Sequence, residues 1–164
     1  MITTFDAQCR IHSPLGPLCL AATDKGLAGA WFDGQAHHPG PLDAPVNAQQ
    51  RWLLQAAREL TQYFAGQRQR FDVALDAQGT AFQQAVWLAL RRIDCGALHT
   101  YGDIARELGR PDAARAVGAA VGRNPISVIV PCHRVVGRDG SLTGYAGGLP
   151  RKEALLELEG AVVT

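Results

Sequence analysis

The chain has 164 residues, of which 47% are hydrophobic and 19% charged, with a net charge of +1. That length suits one compact domain or two small ones with a sizeable core, and no apolar run approaches the roughly 18 residues needed to span a membrane. The near-neutral balance announces no nucleic-acid binder; all basic residues except Lys25 and Lys152 are arginines, which suit phosphate contacts but also fit a simple compositional bias. The opening MITTFDAQCR lacks a basic start followed by an apolar core, so no signal peptide is expected. Phe5, Ala7, Cys9 and Ile11 alternate with more polar neighbours, as in a half-buried strand. Ser13 to Pro17 reads as a turn, Leu18 to Ala22 as a second strand, Asp24-Lys25-Gly26 as a hairpin turn and Leu27 to Phe32 as a third strand. Asp33 to Pro45 is a loop; its His37-His38 pair has no partners at ligand spacing and reads as solvated.

Asn47 with Gln50 resembles a capping box, followed by a helical face of Leu53, Ala56, Ala57, Leu60, Tyr63 and Phe64 that stops at Gly66. Phe71, Val73 and Leu75 alternate like a short strand, and residues 76–79 look like a linker. The first half, residues 1–77, thus reads as a small antiparallel sheet with a helix against it. No catalytic constellation is visible there.

The second half, residues 78–164, changes character. Thr80 with Gln83 is a capping box before the face Phe82, Ala85, Val86, Ala89, Leu90 and Ile93, with Trp87 off that stripe and expected to pack against the first half. Thr100 with Asp103 opens a short helix, Gly109-Arg110-Pro111 breaks it, and Asp112 is the expected cap of a helix through Val121. Two short helices joined by a tight Gly-containing turn form a helix-turn-helix pattern. The second is built almost wholly of small residues, with Arg115 the one long side chain. Close packing on another helix and entry into a nucleic-acid groove both fit it.

Ile126 to Val130 reads as a strand leading into Pro131-Cys132-His133-Arg134-Val135. Thiolate is the reactive form of cysteine, so a thiol beside an imidazole suits nucleophilic chemistry, while the dipeptide alone reads more readily as a buried structural Cys beside a surface His. Neighbouring side chains on a strand face opposite ways, so a water or a bend would have to join the two. Val135 to Thr143 reads as a hairpin in the position of a wing, Gly144 to Gly148 as a loop a ligand could approach closely, and Pro150 as the start of a last helix with Leu155 and Leu158 inward. Glu159 stands where a helix end favours cations; it is either solvated or paired with a cation such as His133, which it would orient and charge. The four cysteines, Cys9, Cys19, Cys95 and Cys132, form no CxxC pair, which argues against zinc ribbons and thioredoxin-like chemistry and for a reduced, cytosolic setting.

Taken in order, these motifs resemble the 6-O-alkylguanine-DNA alkyltransferases, the methylated-DNA–protein-cysteine methyltransferase family. The likeness is carried by Pro131 to Val135, Asn124-Pro125, Ala114 to Gly118, Thr100 to Ala105, Gly144-Tyr145 and Leu156 to Gly160. Ser13 to Gly16 and Tyr63 to Gly66 extend it thinly into the first half. The resemblance implies an α+β fold: a ribonuclease H-like N-terminal sheet with a helix, then a winged helix-turn-helix domain. It implies single-turnover repair in which Cys132 takes the alkyl group from 6-O-alkylguanine, with acceptance of 4-O-alkylthymine left open. His133 would act as base through a bridging water with Glu159 behind it, Asn124 would brace the site, and Tyr101 would donate a proton to the departing guanine. Val135, Tyr145 and Ala146 would hold the flipped base; Arg115, with Ala116, Gly118 and Ala119 beside it, would enter the minor groove and replace it.

The expected partner is double-stranded DNA carrying alkylated guanine, bound by a monomer in the cytoplasm, with no cofactor and no membrane. Some members carry Ser where Ala146 stands, so only the backbone N–H would serve there. Some hold a structural zinc in the N-terminal domain; Thr23 and Ala28 fall at such ligand positions, and Cys9 and Cys19 do not replace them, so no metal is expected. A binding-only relative would carry Trp in place of Cys132, a cysteine hydrolase would turn over repeatedly, and a plain regulator would need no thiol.

Overall fold

The computed structural model describes residues 4–161. It divides into two compact units, Met1–Gln78 with Pro125–Ser127, and Gly79–Asn124 with Val128–Thr164. In the first, β1 (Ala7–Ile11), β2 (Leu18–Ala22) and β3 (Leu27–Phe32) form an antiparallel sheet in sequence order. Every residue of β2 and β3 is buried, so apolar runs rather than strict alternation mark these strands. Helix α1 (Arg51–Phe64) packs on the sheet through Leu53, Ala56, Leu60 and Tyr63. Its cap is Gln50, whose side chain accepts from the N–H groups of Trp52 and Leu53, so the expected Asn47 box does not form. Asn47 instead closes the preceding turn, accepting from Gln49 N at 3.1 Å. The expected strand over Phe71–Leu75 reduces to one bridge, Leu75 to Leu27.

Two polar groups of this unit were not anticipated. Glu59, 3% exposed on the inner face of α1, accepts from the backbone N–H groups of Asp72 and Val73 at 2.9 and 3.1 Å and from the Gln55 amide at 2.9 Å. It replaces the strand partners that this segment lacks. Thr23 donates its hydroxyl to Asp76 at 2.6 Å, tying the β2–β3 turn to the same returning chain.

The second unit is helical. Helices α2 (Ala81–Leu90), α3 (Tyr101–Glu107) and α4 (Ala114–Gly122) pack on one another, and α5 (Leu149–Leu158) closes the unit. The Thr80/Gln83 and Thr100/Asp103 capping boxes are both formed. Helix α4 starts from Ala113 without a side-chain cap, so Asp112 does not serve as one. Trp87 donates its indole N–H to Ala120 O at 2.8 Å, and a Cβ on Gly79 would lie 2.5 Å from its ring. A buried indole N–H needs an acceptor, and α4 of the same unit supplies one.

Three further expectations change. The strand over Ile126–Val130 is instead a bridge at Ile126 to Ala30 followed by turns, with Val128 at φ 72°. A β-branched residue in that left-handed region is strained, and the turn it makes is what brings the chain round to Cys132. Val135–Val136 (β5) pairs in parallel with His99–Thr100 (β4), not with Ser141–Thr143; the turn beyond is closed by Gly137 N to Ser141 O at 2.8 Å. On α5, Leu155 and Leu156 point inward while Leu158 is 42% exposed, and the place on the buried face is taken by Lys152.

Removing the Glu59 carboxylate leaves two backbone donors of the first unit unsatisfied. Glu59→Ala is expected to lower stability by roughly 1–3 kcal/mol, and Glu59→Gln, which keeps an acceptor oxygen, by less; urea denaturation of the full chain measures both.

Candidate active site

Cys132, His133 and Arg134 form one turn of 3-10 helix, all three buried, immediately after Pro131. A turn, unlike a strand, does not send successive side chains to opposite faces, so the geometric objection to Cys132 and His133 sharing a site falls away. Cys132 N bonds back to Val130 O at 2.8 Å, and the Asn124 amide donates both to Val130 O at 2.8 Å and to Cys132 Sγ at 3.2 Å. Asn124 is itself 4% exposed, at the end of α4, so its amide is fixed by the backbone it braces.

Burial pushes the Cys132 thiol up to about 11, against the pull of the Asn124 amide and the Lys152 ammonium. The resting group is therefore a protonated thiol, not the thiolate that an adjacent basic group first suggests. Desolvation outweighs one hydrogen bond and one distant charge.

His133 is wholly buried and its Nε2 lies 2.7 Å from Glu159 Oε2. A carboxylate only accepts, so Nε2 carries the proton and donates. Nδ1 is then the lone-pair nitrogen, and it is buried with no partner among the described residues. Of the two possibilities for Glu159, solvated or paired, the structure has it paired, with a side chain 1% exposed. Its effect on His133 differs from expectation: burial lowers the imidazole below its ordinary value despite the Glu159 bond, and Arg134 and Lys152 add to the lowering. The ring is oriented by the carboxylate but stays neutral.

Arg134 and Lys152 are the members that sequence reading missed. Arg134 donates to Glu159 Oε1 through Nε at 2.8 Å, to Oε2 through Nη2 at 2.9 Å, and to Ile93 O through Nη1 at 2.6 Å. Lys152, 0% exposed, donates to three backbone carbonyls: Val135, Thr143 at 2.8 Å and Gly144 at 3.4 Å. Burial pushes it down to about 8. Its spacing of three from Leu155 on a helix with an inward face was the available signal, overridden by the habit of placing lysines outside.

Tyr101 opens α3 and its hydroxyl shares a 3.1 Å hydrogen bond with Thr143 Oγ1. Tyr145 sets its ring edge-on to His133, with centroids 6.5 Å apart, and Ala146 follows it half-buried. Val135 is buried, its carbonyl held by Lys152. On α4, Val117, Ala120 and Val121 face the unit's core, whereas Arg115, Ala116 and Ala119 are exposed and Gly118 is half-buried. A Cβ on Gly118 would sit 3.7 Å from the Tyr101 ring, so this helix and the Tyr101 side chain lie against each other. Both readings of the small-residue helix thus have a face: one packs, the other is open. Among the described residues no group of three or more His, Cys, Asp or Glu is placed to hold a metal, and no helix is long and apolar enough to cross a membrane.

Residues 81–161 match the 6-O-methylguanine DNA methyltransferase DNA binding domain, and residues 10–77 its ribonuclease-like domain. The methylated-DNA–protein-cysteine methyltransferase of Methanosarcina acetivorans is 49% identical over 150 residues, covering 92% of this chain and 96% of that one. That of Mycobacterium tuberculosis is 48% identical over 155 residues, covering 91% and 89%. The crystal structure of Mycobacterium tuberculosis OGT in complex with DNA superposes with a TM-score of 0.87 at 48% identity, covering 93% and 92% of the two chains. The fold extends to the Pyrococcus kodakaraensis protein, with a TM-score of 0.54 at 22% identity, covering 94% and 99%. With both halves matched and close relatives aligned over nearly their whole length, the chain belongs to the methylated-DNA–protein-cysteine methyltransferase family.

Proposed function

We propose that this chain repairs DNA by direct reversal, moving the alkyl group of 6-O-alkylguanine in a duplex onto Cys132. The observation that carries the reading is a buried, protonated Cys132, held at Sγ by Asn124, on the same 3-10 turn as a neutral His133 whose Nδ1 is unpartnered. Such a thiol resists oxidation at rest and needs a base when substrate arrives.

The thiol proton passes through a water to His133 Nδ1, and Sγ attacks the alkyl carbon. The S–C bond forms as the C–O bond breaks, and the electron pair moves into the guanine ring, which takes a proton from the Tyr101 hydroxyl. The proton held by His133 returns through solvent to the tyrosine oxygen. Glu159 stabilises the transient imidazolium, and the Asn124 amide stabilises the developing thiolate. The thioether offers no leaving group for hydrolysis, so each molecule acts once.

Delivery of the base falls to the open face of α4. Arg115 fills the gap left by the extruded nucleotide, while Ala116, Gly118 and Ala119 let the helix approach the minor groove closely. The backbone at Val135 and Ala146, near Tyr145, receives the base. The N-terminal residues 1–77 support the C-terminal reaction domain, residues 78–164. The four free cysteines suit a reducing cytoplasm.

Incubation with a duplex containing 6-O-methylguanine should add one methyl group to Cys132 and stop at one equivalent, as read by intact mass; Cys132→Ser should gain nothing. An unmodified, folded wild-type protein would sink the reading. Asn124→Ala removes a hydrogen bond to a charged sulfur worth about 1.5–3 kcal/mol, so single-turnover transfer should slow roughly 10- to 100-fold. Transfer needs neutral His133, whose imidazole is depressed; the rate should therefore stay level across neutrality and fall only below the ordinary imidazole value of about 6.5. A profile already falling at pH 7.5 would contradict a neutral His133.

A further inference from the structure

We infer that Arg134 is a positioning residue for the transfer: by sharing the Glu159 carboxylate, it holds His133 neutral with Nδ1 free to accept a proton. This rests on the reading of His133 as the base.

The geometry is a closed triad. Glu159 Oε2 is shared between His133 Nε2 at 2.7 Å and Arg134 Nη2 at 2.9 Å, while Oε1 takes Arg134 Nε at 2.8 Å. The side chains of His133, Arg134 and Glu159 are 0%, 7% and 1% exposed, so solvent does not screen them. A lone carboxylate in such a place would drag a proton onto the imidazole and form an ion pair, because two neutralising charges are cheaper to bury than one. An imidazolium has no lone pair and cannot take the Cys132 proton. A guanidinium is always charged, so it neutralises the carboxylate without using the imidazole. His133 then keeps the single role of donating Nε2–H, which fixes the tautomer and leaves Nδ1 bare.

The other charged and titratable groups around His133 do not replace this device. Lys152 of α5 pushes in the same direction as Arg134, but its ammonium is bonded to backbone carbonyls, not to Glu159. Cys132 is a neutral thiol at rest, and Tyr145 presents a ring edge. Helix α2, which packs on the same turn, carries no titratable side chain. Cys95 lies by Arg134 and Glu159, and burial keeps its thiol protonated. Arg134 is bonded to both oxygens of the Glu159 carboxylate. A further donor contact, from Nη1 to Ile93 O at 2.6 Å, fixes the guanidinium from the other side.

The experiment uses the full chain, with histidine Cε1 labelled, and follows His133 by NMR across pH without DNA; single-turnover transfer is measured over the same range. Arg134→Met removes the cation but keeps length and apolar bulk. His133 should then titrate at higher pH, and the transfer rate at pH 6 relative to pH 8 should fall about tenfold for each unit of that rise. Arg134→Lys should retain most of the wild-type profile. Arg134→Met combined with Glu159→Gln, which removes both charges, should bring the titration back down. An unchanged His133 titration in Arg134→Met, or an equal rate loss at every pH, would leave Arg134 a structural residue and overturn the inference. If Arg134→Met does not fold, Glu159→Gln alone decides: with the guanidinium left uncompensated, His133 should titrate lower still, and a higher value overturns the inference. A wild-type protein that transfers no methyl group would defeat the proposed function while the NMR arms still report on Arg134.

Discussion

The carboxylate of Glu159 accepts from His133 and, at both oxygens, from Arg134, and the C-terminal unit is arranged to make that possible. It sits at the C-cap of α5, where the helix dipole disfavours an acid, and is buried as well. Either circumstance alone argues against an anion there. The guanidinium of Arg134 resolves both, and Ile93 O beyond the end of α2 resolves the guanidinium in turn. The 3-10 turn that carries Cys132, His133 and Arg134 is thus fastened to α5 on one side and to the α2 end on the other. The acceptor Cys132, the proposed base His133 and Arg134, which anchors the turn to Glu159 and Ile93, are three consecutive residues.

The opposing demand on this site is that it stay quiet until a substrate arrives. Burial raises the thiol and lowers the imidazole, so at rest neither member of the pair is charged. In the proposed transfer, proton movement between them costs least when an amide is already aimed at the sulfur and a carboxylate at the ring. Lys152 adds a structural clamp, gathering the carbonyls of Val135, Thr143 and Gly144 around one ammonium. That clamp joins β5 to the loop bearing Tyr145 and Ala146, and Thr143 in turn meets the Tyr101 hydroxyl. The groups assigned to guanine binding are thereby linked through a few hydrogen bonds to the turn that holds the acceptor.

The N-terminal unit solves a plainer problem with similar means. Its returning segment meets the sheet at the Leu75–Leu27 bridge; before it, Glu59 accepts from the N–H groups of Asp72 and Val73, and after it Thr23 binds the Asp76 carboxylate.

Local pattern determined a good deal: the three strands of the sheet, the two capping boxes, the helix-turn-helix, and the order of motifs that marks the family. These depend on interactions within a few residues, which periodicity and capping chemistry report directly. Wherever the outcome hung on a contact distant in sequence, tertiary structure decided. Ile126–Val130 reads as a strand because it is apolar, yet only one bridge partner is offered to it, and the chain turns at Val128 instead. Lys152 is inside because three carbonyls from another segment await it. The neutrality of His133 could not be read from its neighbours at all: Glu159 alone predicts a charged ring. It is desolvation, with Arg134 bonded to that carboxylate, that makes it neutral. Sequence pointed to Cys132, His133 and Glu159 but not to Arg134 and Lys152, and packing set their charges, because a pKa is fixed by how much water a group has lost and which charges face it.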